Sequence, residues 1–163
     1  MAAIYADTSA LMKLFLDETG STLVRAVFDE AEVQGTPIYT SAWSLNELLA
    51  GLLKRHNRGE ITEGEMHTFG FNILRIAGDL AAAGVLGLIE IDGTVRSQAL
   101  AYVFGRRLFS GDALHLATAK LGPCDAILTA DKHLLRAGPA EGLPAFNAED
   151  NAVQERLLAL LRS

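Results

Sequence analysis

Cysteine is almost absent from this sequence of 163 residues, in which Cys124 is the only one. A single cysteine can form no internal disulfide, so the chain is not a disulfide-stabilised secreted domain. Cys124 precedes an apolar stretch and has no basic neighbour in sequence that would activate a thiolate. We therefore expect it to be a small buried residue and not a nucleophile.

Long apolar runs and low-complexity segments are also missing. No stretch approaches the ~18 apolar residues of a membrane helix, and the N-terminal residues lack a signal-peptide pattern, which predicts a cytoplasmic protein with no membrane partner. Half of the residues are hydrophobic and 21% are charged, as is typical of folded globular proteins. The length suits one domain that needs no disulfide or metal to stabilise its core.

Basic residues are outnumbered, with 14 Lys and Arg against 20 Asp and Glu and a net charge of −6. This balance argues against a protein that coats nucleic acid through a broad basic surface. It does not exclude a nuclease, because a divalent cation held by acids reverses the field that a phosphate meets. Three basic clusters either contact phosphates or simply occupy solvated helix ends: Lys54, Arg55, His56 and Arg58; Arg106 and Arg107; and Lys132, His133 and Arg136.

Familiar catalytic motifs are absent as well. The four histidines lack the paired spacing of a zinc site, and there is no phosphate-binding loop, nucleophile elbow or dinucleotide-binding glycine pattern. His115 shares a helix face with Asp112, but a histidine in an apolar helix is more often a packing residue. We expect His115 to be one.

What the sequence does contain is a helical stretch with an acid at its start, Ser110–Lys120. Ser110 is a good N-cap, and Asp112 falls in the first turn, where the helix dipole is expected to keep its pKa low. Leu116 and its neighbours make the helix apolar on most of its surface, which predicts central packing. Taken alone, Asp112 is an ordinary first-turn acid.

Two further acids follow predicted strands. Residues 4–6 form an apolar run that ends at Asp7, before the hydroxyls of Thr8 and Ser9 and a helical pattern. Residues 126–131 repeat the plan with Thr129 and Asp131. Strand ends of an open α/β sheet share one edge, where ligands bind, so we expect Asp7, Asp112 and Asp131 to meet there.

Helical and strand patterns alternate along the chain, which predicts an α/β fold with a mostly parallel central sheet flanked by helices. Ser41 is expected to cap a helix running to about Asn57, with Glu47 beside its apolar stripe, and a capping box opens a second helix over 62–83. These two helices should form a hairpin. An edge strand is expected at 143–147. The predicted domain spans 1–147, and 148–163 form a C-terminal amphipathic helix of the same domain.

Four short motifs resemble the PIN-domain nucleases. They are Ala-Asp-Thr-Ser at Asp7, Ser-Leu-Asn-Glu-Leu at Glu47, Gly-Asp-Ala-Leu-His-Leu-Ala at Asp112 and Leu-Thr-Ala-Asp at Asp131. Each motif is weak alone, but four in this order are specific, and the resemblance covers roughly residues 3–147. Within that family, the single short domain is similar to VapC-type toxins of toxin–antitoxin pairs.

The resemblance implies a metal-dependent endoribonuclease that hydrolyses RNA phosphodiesters with metal-activated water. The implied cofactor is Mg²⁺ or Mn²⁺, hard cations that prefer oxygen ligands. Asp7 and Asp112 would be the principal metal ligands, and Glu47 and Asp131 would complete the catalytic pocket. The supporting residues, which would orient water or carboxylates, are Thr8, Ser9 and Thr129.

The resemblance also implies RNA as the substrate and a cognate antitoxin as a protein partner. The helix after Asp7 carries more apolar residues than one buried face holds, so we expect some to be exposed and to form a groove with Trp43 or Leu53. The apolar residues concerned are Leu11, Met12, Leu14, Phe15 and Leu16. A homodimer would use such a surface equally well, and an arginine of the antitoxin would pair with the acids.

Two other functions remain open from the sequence. A catalytically silent PIN-like domain that binds RNA or assembles with other proteins would keep the fold, but it would be expected to have lost some of the acids. A phosphoacceptor signalling domain fits poorly, because Asp7 is followed by Thr8 and Ser9 where that class has adjacent acids.

Overall fold

The computed structural model describes residues 2–163, so Met1 of the predicted range 1–147 lies outside the described residues. The strands are β1 (Ile4–Ala6), β2 (Ile38–Ser41), β3 (Leu86–Ile89), β4 (Ala126–Thr129) and β5 (Ala145–Asn147). The helices are α1 (Thr8–Phe15), α2 (Ser21–Gln34), α3 (Ser44–Asn57), α4 (Glu63–Ala82), α5 (Gly93–Gly105), α6 (Ser110–Leu121), α7 (Lys132–Ala140) and α8 (Gln154–Arg162), with a short 3₁₀ turn at Asn151–Val153.

The five strands form one sheet in the order β3-β2-β1-β4-β5, and all four neighbouring pairs are parallel. This confirms the predicted α/β fold with helices around a parallel sheet. The chain first builds outward from β1 to β3 and then returns to build β4 and β5 on the other side of β1. The carboxyl ends of β1 and β4 therefore flank the point where the strand order reverses, which is where α/β sheets place their ligands.

Side chains of β1 alternate between two hydrophobic cores. Ile4 and Ala6 pack with α1, α2, α3, α4 and α8, whereas Tyr5 packs with α5, α6 and α7. Such alternation is the period-two geometry of a strand buried on both faces. The C-terminal helix α8 packs on α2, and Arg162 forms a 2.7 Å ion pair with Glu30 there.

Helix starts agree with the sequence only in part. The capping box of α4 is present, with Thr62 accepting from the Glu65 amide at 3.2 Å and Glu65 accepting from the Thr62 amide at 2.8 Å. The predicted cap Ser41 is wrong, because Ser41 ends β2 and accepts from the amide of Trp43, and α3 begins at Ser44. Ser110 is likewise the first residue of α6 and not its cap.

The apolar residues of α1 do not form an exposed groove, so that expectation is wrong. Leu11 and Met12 are buried in the core, and Leu14, Phe15 and Leu16 are half-buried against it. Helix α1 packs on the sheet and against α2 and α3, and the Met12 side chain lies against Gly51 of α3. Trp43 and Leu53 are exposed, at 45% and 48%.

Two other expectations concern Cys124 and the membrane. Cys124 is half-buried, and burial, followed by the charge of Asp125, raises the pKa of its thiol to about 12, so the thiolate is not activated. None of the helices formed by residues 2–163 combines the length and apolar character needed to cross a bilayer.

Candidate active site

A cavity of about 480 Å³ opens at the carboxyl edge of the sheet. All four acids expected from the sequence line it, namely Asp7, Glu47, Asp112 and Asp131, together with Thr8, Ser9 and His115. The remaining expected residue, Thr129, is fully buried and contacts Asp7. The fold therefore brings the residues of all four motifs to one place.

Asp7 is held rigidly between β1 and α1. It is 3% exposed and caps α1, accepting a hydrogen bond from the Ala10 amide at 2.9 Å. The hydroxyls of Ser9 and Thr129 donate to its carboxylate at 2.8 Å each. Burial raises the pKa of Asp7, and the charge of His115 and these hydrogen bonds offset that rise only in part.

Asp131 plays the matching part after β4. Its Oδ1 caps α7 by accepting from the amides of His133 at 2.7 Å and Leu134 at 3.0 Å. The Asp131 amide donates to Thr129 Oγ1, and the Ala130 amide donates to Ser9 Oγ, at 2.9 and 2.8 Å. The two hydroxyls thus fasten the end of β1 to the end of β4.

Asp112 lies in the first turn of α6, as expected, but its pKa does not stay low. Burial and the neighbouring charge of Asp131 raise this pKa to about 6, with a smaller rise from Asp7 and opposing effects from His133 and His115. The helix dipole lowers the pKa of Asp112 only weakly, and desolvation together with the Asp131 carboxylate outweighs it. Asp112 is therefore more than an ordinary first-turn acid, because burial and a second carboxylate act on it.

Glu47 reaches the site from the first turn of α3. Its Oε2 accepts from Thr8 Oγ1 at 2.5 Å and from His115 Nε2 at 2.6 Å. Its Oε1 would lie 3.1 Å from a Cβ on Gly111, so the glycine lets Glu47 approach the first turn of α6. Burial raises the pKa of Glu47, but the hydrogen bond and charge of His115 outweigh it, and the pKa lies below its usual value.

His115 is buried, as expected, but it is more than a packing residue. Its ring is 5% exposed, with Nδ1 2.7 Å from the Tyr5 hydroxyl and Nε2 2.6 Å from Glu47. If Tyr5 donates to Nδ1, then Nε2–H is the group that holds Glu47. Burial lowers the pKa of His115, but the hydrogen bond to Glu47 and the charges of Asp7 and Glu47 raise it by more. The pKa therefore lies above its usual value.

His115 and its hydrogen-bond partner Tyr5 differ in how far the sequence predicted their place in the site. The spacing of three residues from Asp112 placed His115 on the same helix face and was the clue to its position. Tyr5 left no signal, because its position inside an apolar strand is typical of any core aromatic residue.

The outer part of the cavity is lined by cations. Lys13 is buried and forms ion pairs with Glu149 at 2.7 Å and Glu18 at 3.3 Å. Arg55 pairs with the other oxygen of Glu18 at 2.7 Å. Lys54 and Arg58 complete this lining.

The donor set of the cavity suits a hard cation. Within residues 2–163, no three Asp, Glu, His or Cys side chains are arranged as a closed set of metal ligands. Mg²⁺ and Mn²⁺ do not need one, since they usually take one or two direct carboxylates and keep several waters. Burial and, after it, the charge of Asp131 raise the pKa of Asp112, and a bound cation would offset both effects.

Comparisons with known proteins agree with this geometry. The family model described as PIN domain matches residues 4–138, a range that includes all four acids. The crystal structure of PAE2754 from Pyrobaculum aerophilum matches with a TM-score of 0.64 and 18% identity, covering 97% of this chain and 90% of that chain. That likeness concerns the fold. A search of curated protein sequences found no match.

Proposed function

The chain belongs to the PIN domain family, whose members are generally nucleases, and we propose that it is a Mg²⁺- or Mn²⁺-dependent endoribonuclease. We further propose that it is a VapC-type toxin of a toxin–antitoxin pair and acts in the cytoplasm. The observation that supports the nuclease proposal is that the acids of four separate motifs line a single cavity at the switch point of the sheet.

In this proposal Asp7 and Asp112 would be the principal metal ligands, and Glu47 and Asp131 would complete the pocket through waters or a second ion. The cation, when bound, makes water more acidic and offsets negative charge on the phosphate. The chain itself keeps the acids in place: Ser9 and Thr129 orient Asp7, and Thr8 orients Glu47. No side-chain nucleophile is needed for this chemistry.

A catalytically silent domain of the same fold is the less favoured alternative. Such a domain would have no reason to keep four carboxylates in one cavity, where burial opposes the ionisation of Asp7 and burial and the charge of Asp131 oppose that of Asp112. Raised pKa values such as those of Asp7 and Asp112 are typical of functional sites.

Digestion of a labelled total-RNA pool tests the nuclease proposal. We expect cleavage in millimolar Mn²⁺, none in EDTA, and near-complete loss in Asp112→Asn, which keeps the side-chain shape but removes the charge. Asp79→Asn is the matched control, because Asp79 is exposed on α4 and paired only with Arg75 at 2.9 Å. Glu18 is unsuitable as a control, since it pairs with Lys13 and Arg55 beside the cavity. Equal cleavage by the two variants would contradict the assignment.

The antitoxin is proposed to silence the enzyme with an arginine in the acidic cavity. A guanidinium pairs bidentately with carboxylates, whereas an ammonium does not. We therefore expect arginine amide to inhibit cleavage more strongly than lysine amide, with inhibition relieved by more Mn²⁺. Equal inhibition by the two amides would contradict this part of the proposal.

A homodimer is the second proposed assembly. An apolar cleft of about 490 Å³ between α5 and α6 is lined by Leu100, Val103 and Leu114 and by Trp43. Leu100 is 64% exposed there, and a second copy of the chain would bury this apolar surface away from water. We expect light scattering to show a dimer for the wild type and a monomer for Leu100→Glu. Val33→Glu, a substitution at a position of α2 that is 77% exposed, should remain dimeric, and dimers in all three proteins would contradict the choice of surface.

A further inference from the structure

The cavity that holds the acids continues along α3 towards the end of that helix. Four of its lining residues are Glu47, Gly51, Lys54 and Arg58. Their spacing of four, three and four residues keeps them on one face of the helix, since 3.6 residues complete a turn. We call these four residues the α3 strip.

Gly51 lies in the middle of the α3 strip, where α1 packs directly on the α3 backbone: a Cβ at this position would lie 2.8 Å from the Cε of Met12. Met12 therefore covers the strip between its acidic end at Glu47 and its basic end at Lys54, and Met12 itself lines the cavity. A linear ligand entering the cavity would pass over Met12 on its way from Glu47 to Lys54.

The cations of the cavity differ in how strongly they are already paired. Lys13 and Arg55 are committed to Glu18 and Glu149. Lys54 is exposed and, within residues 2–163, takes part in no ion pair. Arg58 reaches only Glu60, at 3.7 Å and with both side chains largely exposed, which is a weak interaction. Lys54 and Arg58 are thus available to a ligand.

We propose that Lys54 and Arg58 form a subsite for the phosphate backbone of single-stranded RNA that leads away from the acidic centre. This inference rests on the proposed ribonuclease function and adds to it the path of the substrate. At a rise of 1.5 Å per residue, Lys54 lies about 10 Å and Arg58 about 16 Å along the axis from Glu47. Lys54 would therefore contact a phosphate nearer to the cut, and Arg58 a phosphate farther from it.

One strand fits this arrangement better than a duplex. A duplex presents two backbones and needs cations on a broad face, which a protein of net charge −6 does not offer. A single row of cations follows one backbone. Phosphate contacts position a strand without reading its bases, so the α3 strip should set the register of the RNA and not its sequence.

Steady-state cleavage of labelled single-stranded oligoribonucleotides in Mn²⁺ tests the subsite. For a substrate of about 12 nucleotides, we expect Lys54→Gln and Arg58→Gln each to raise KM about three- to tenfold while kcat changes by less than about twofold. The slope of log(kcat/KM) against log salt should become shallower by about 0.7 in each variant. A dinucleotide, which is too short to reach Arg58, should be cleaved equally well by the wild type and Arg58→Gln.

Arg75→Gln is the matched control, because it removes one exposed positive charge from α4, away from the cavity lining. An equal KM and salt slope for Lys54→Gln, Arg58→Gln and Arg75→Gln would overturn the subsite while leaving the ribonuclease proposal intact. If the variants keep the RNA kinetics but lose affinity for an acidic peptide, the strip belongs to a protein partner and the subsite is overturned. A wild type that cleaves no RNA in Mn²⁺ overturns the proposed function itself, together with the subsite.

Discussion

The surroundings of Asp112 oppose its negative charge. Burial and the Asp131 carboxylate raise its pKa to about 6 in the folded protein, whereas an aspartate in an unfolded chain titrates near ~3.9. Between these values the folded state holds a proton that the unfolded state has lost. The contribution of Asp112 to the free energy of unfolding therefore falls as pH rises through this window.

Urea unfolding in EDTA can isolate this contribution. We expect Asp112→Asn to match the wild type at pH 3, where the carboxyl is largely protonated in both states, and to be more stable than the wild type at pH 7. The control Asp79→Asn should differ little from the wild type at either pH, because Asp79 is exposed. An Asp112→Asn variant that is less stable than the wild type at pH 7 would show that the carboxylates do not crowd one another.

At this scale the sequence predicted which acids line the cavity better than it predicted their environment. Asp7 and Asp131 follow apolar strands directly, a local pattern that needs no tertiary information. The hydrogen bond between His115 and Glu47 joins residues 68 positions apart, and the raised pKa of Asp112 depends on its burial and on Asp131, which belongs to another motif. Neither effect has a signature within one helix or one strand.

At the scale of elements, helix caps show the same limit. Thr62 and Glu65 satisfy each other within four residues, so their capping box was predictable. Ser41 and Ser110 are good capping residues by type. However, β2 extends through Ser41, and Phe109 occupies the N-cap position of α6, so that Ser110 is the first residue of the helix. Pairing of Ser41 with Ile89 on β3 decides where β2 ends, and a single segment does not reveal it.

A substitution at the start of α2 tests the contact between this helix and the segment that follows β5. Gly20 caps α2 with a φ of 90°, and a Cβ there would overlap the carbonyl oxygen of Ala148, which follows β5. Gly20→Ala combines a left-handed backbone with a clash, so we expect a loss of at least ~2 kcal/mol in the free energy of unfolding. Urea denaturation measures this loss.

Gly35→Ala provides the comparison for this substitution. Gly35 ends α2 with a φ of 64°, but the space that a Cβ would occupy there is open, so only the backbone cost of ~1 kcal/mol applies. Equal losses for the two variants would contradict the close contact between Gly20 and Ala148.

At the scale of the whole molecule, parallel pairing brings the motifs together. The alternation of helices and strands predicted a parallel sheet, and a parallel sheet places the carboxyl ends of its strands on one edge. The strand order did not follow from the pattern, because apolar strands buried on both faces carry no mark of their neighbours. The partner of the C-terminal helix was likewise unknown until α8 was seen on α2.

Thermal unfolding with and without metal tests most directly whether the four acids form a cation site. A ligand that binds only the folded state stabilises it by mass action, and cation binding would also relieve the repulsion around Asp112. We expect the Tm of the wild type to rise on moving from EDTA to millimolar Mn²⁺, and the Tm of the double variant Asp7→Asn/Asp112→Asn to stay constant. Identical melting curves of the wild type in EDTA and in Mn²⁺ would contradict the account.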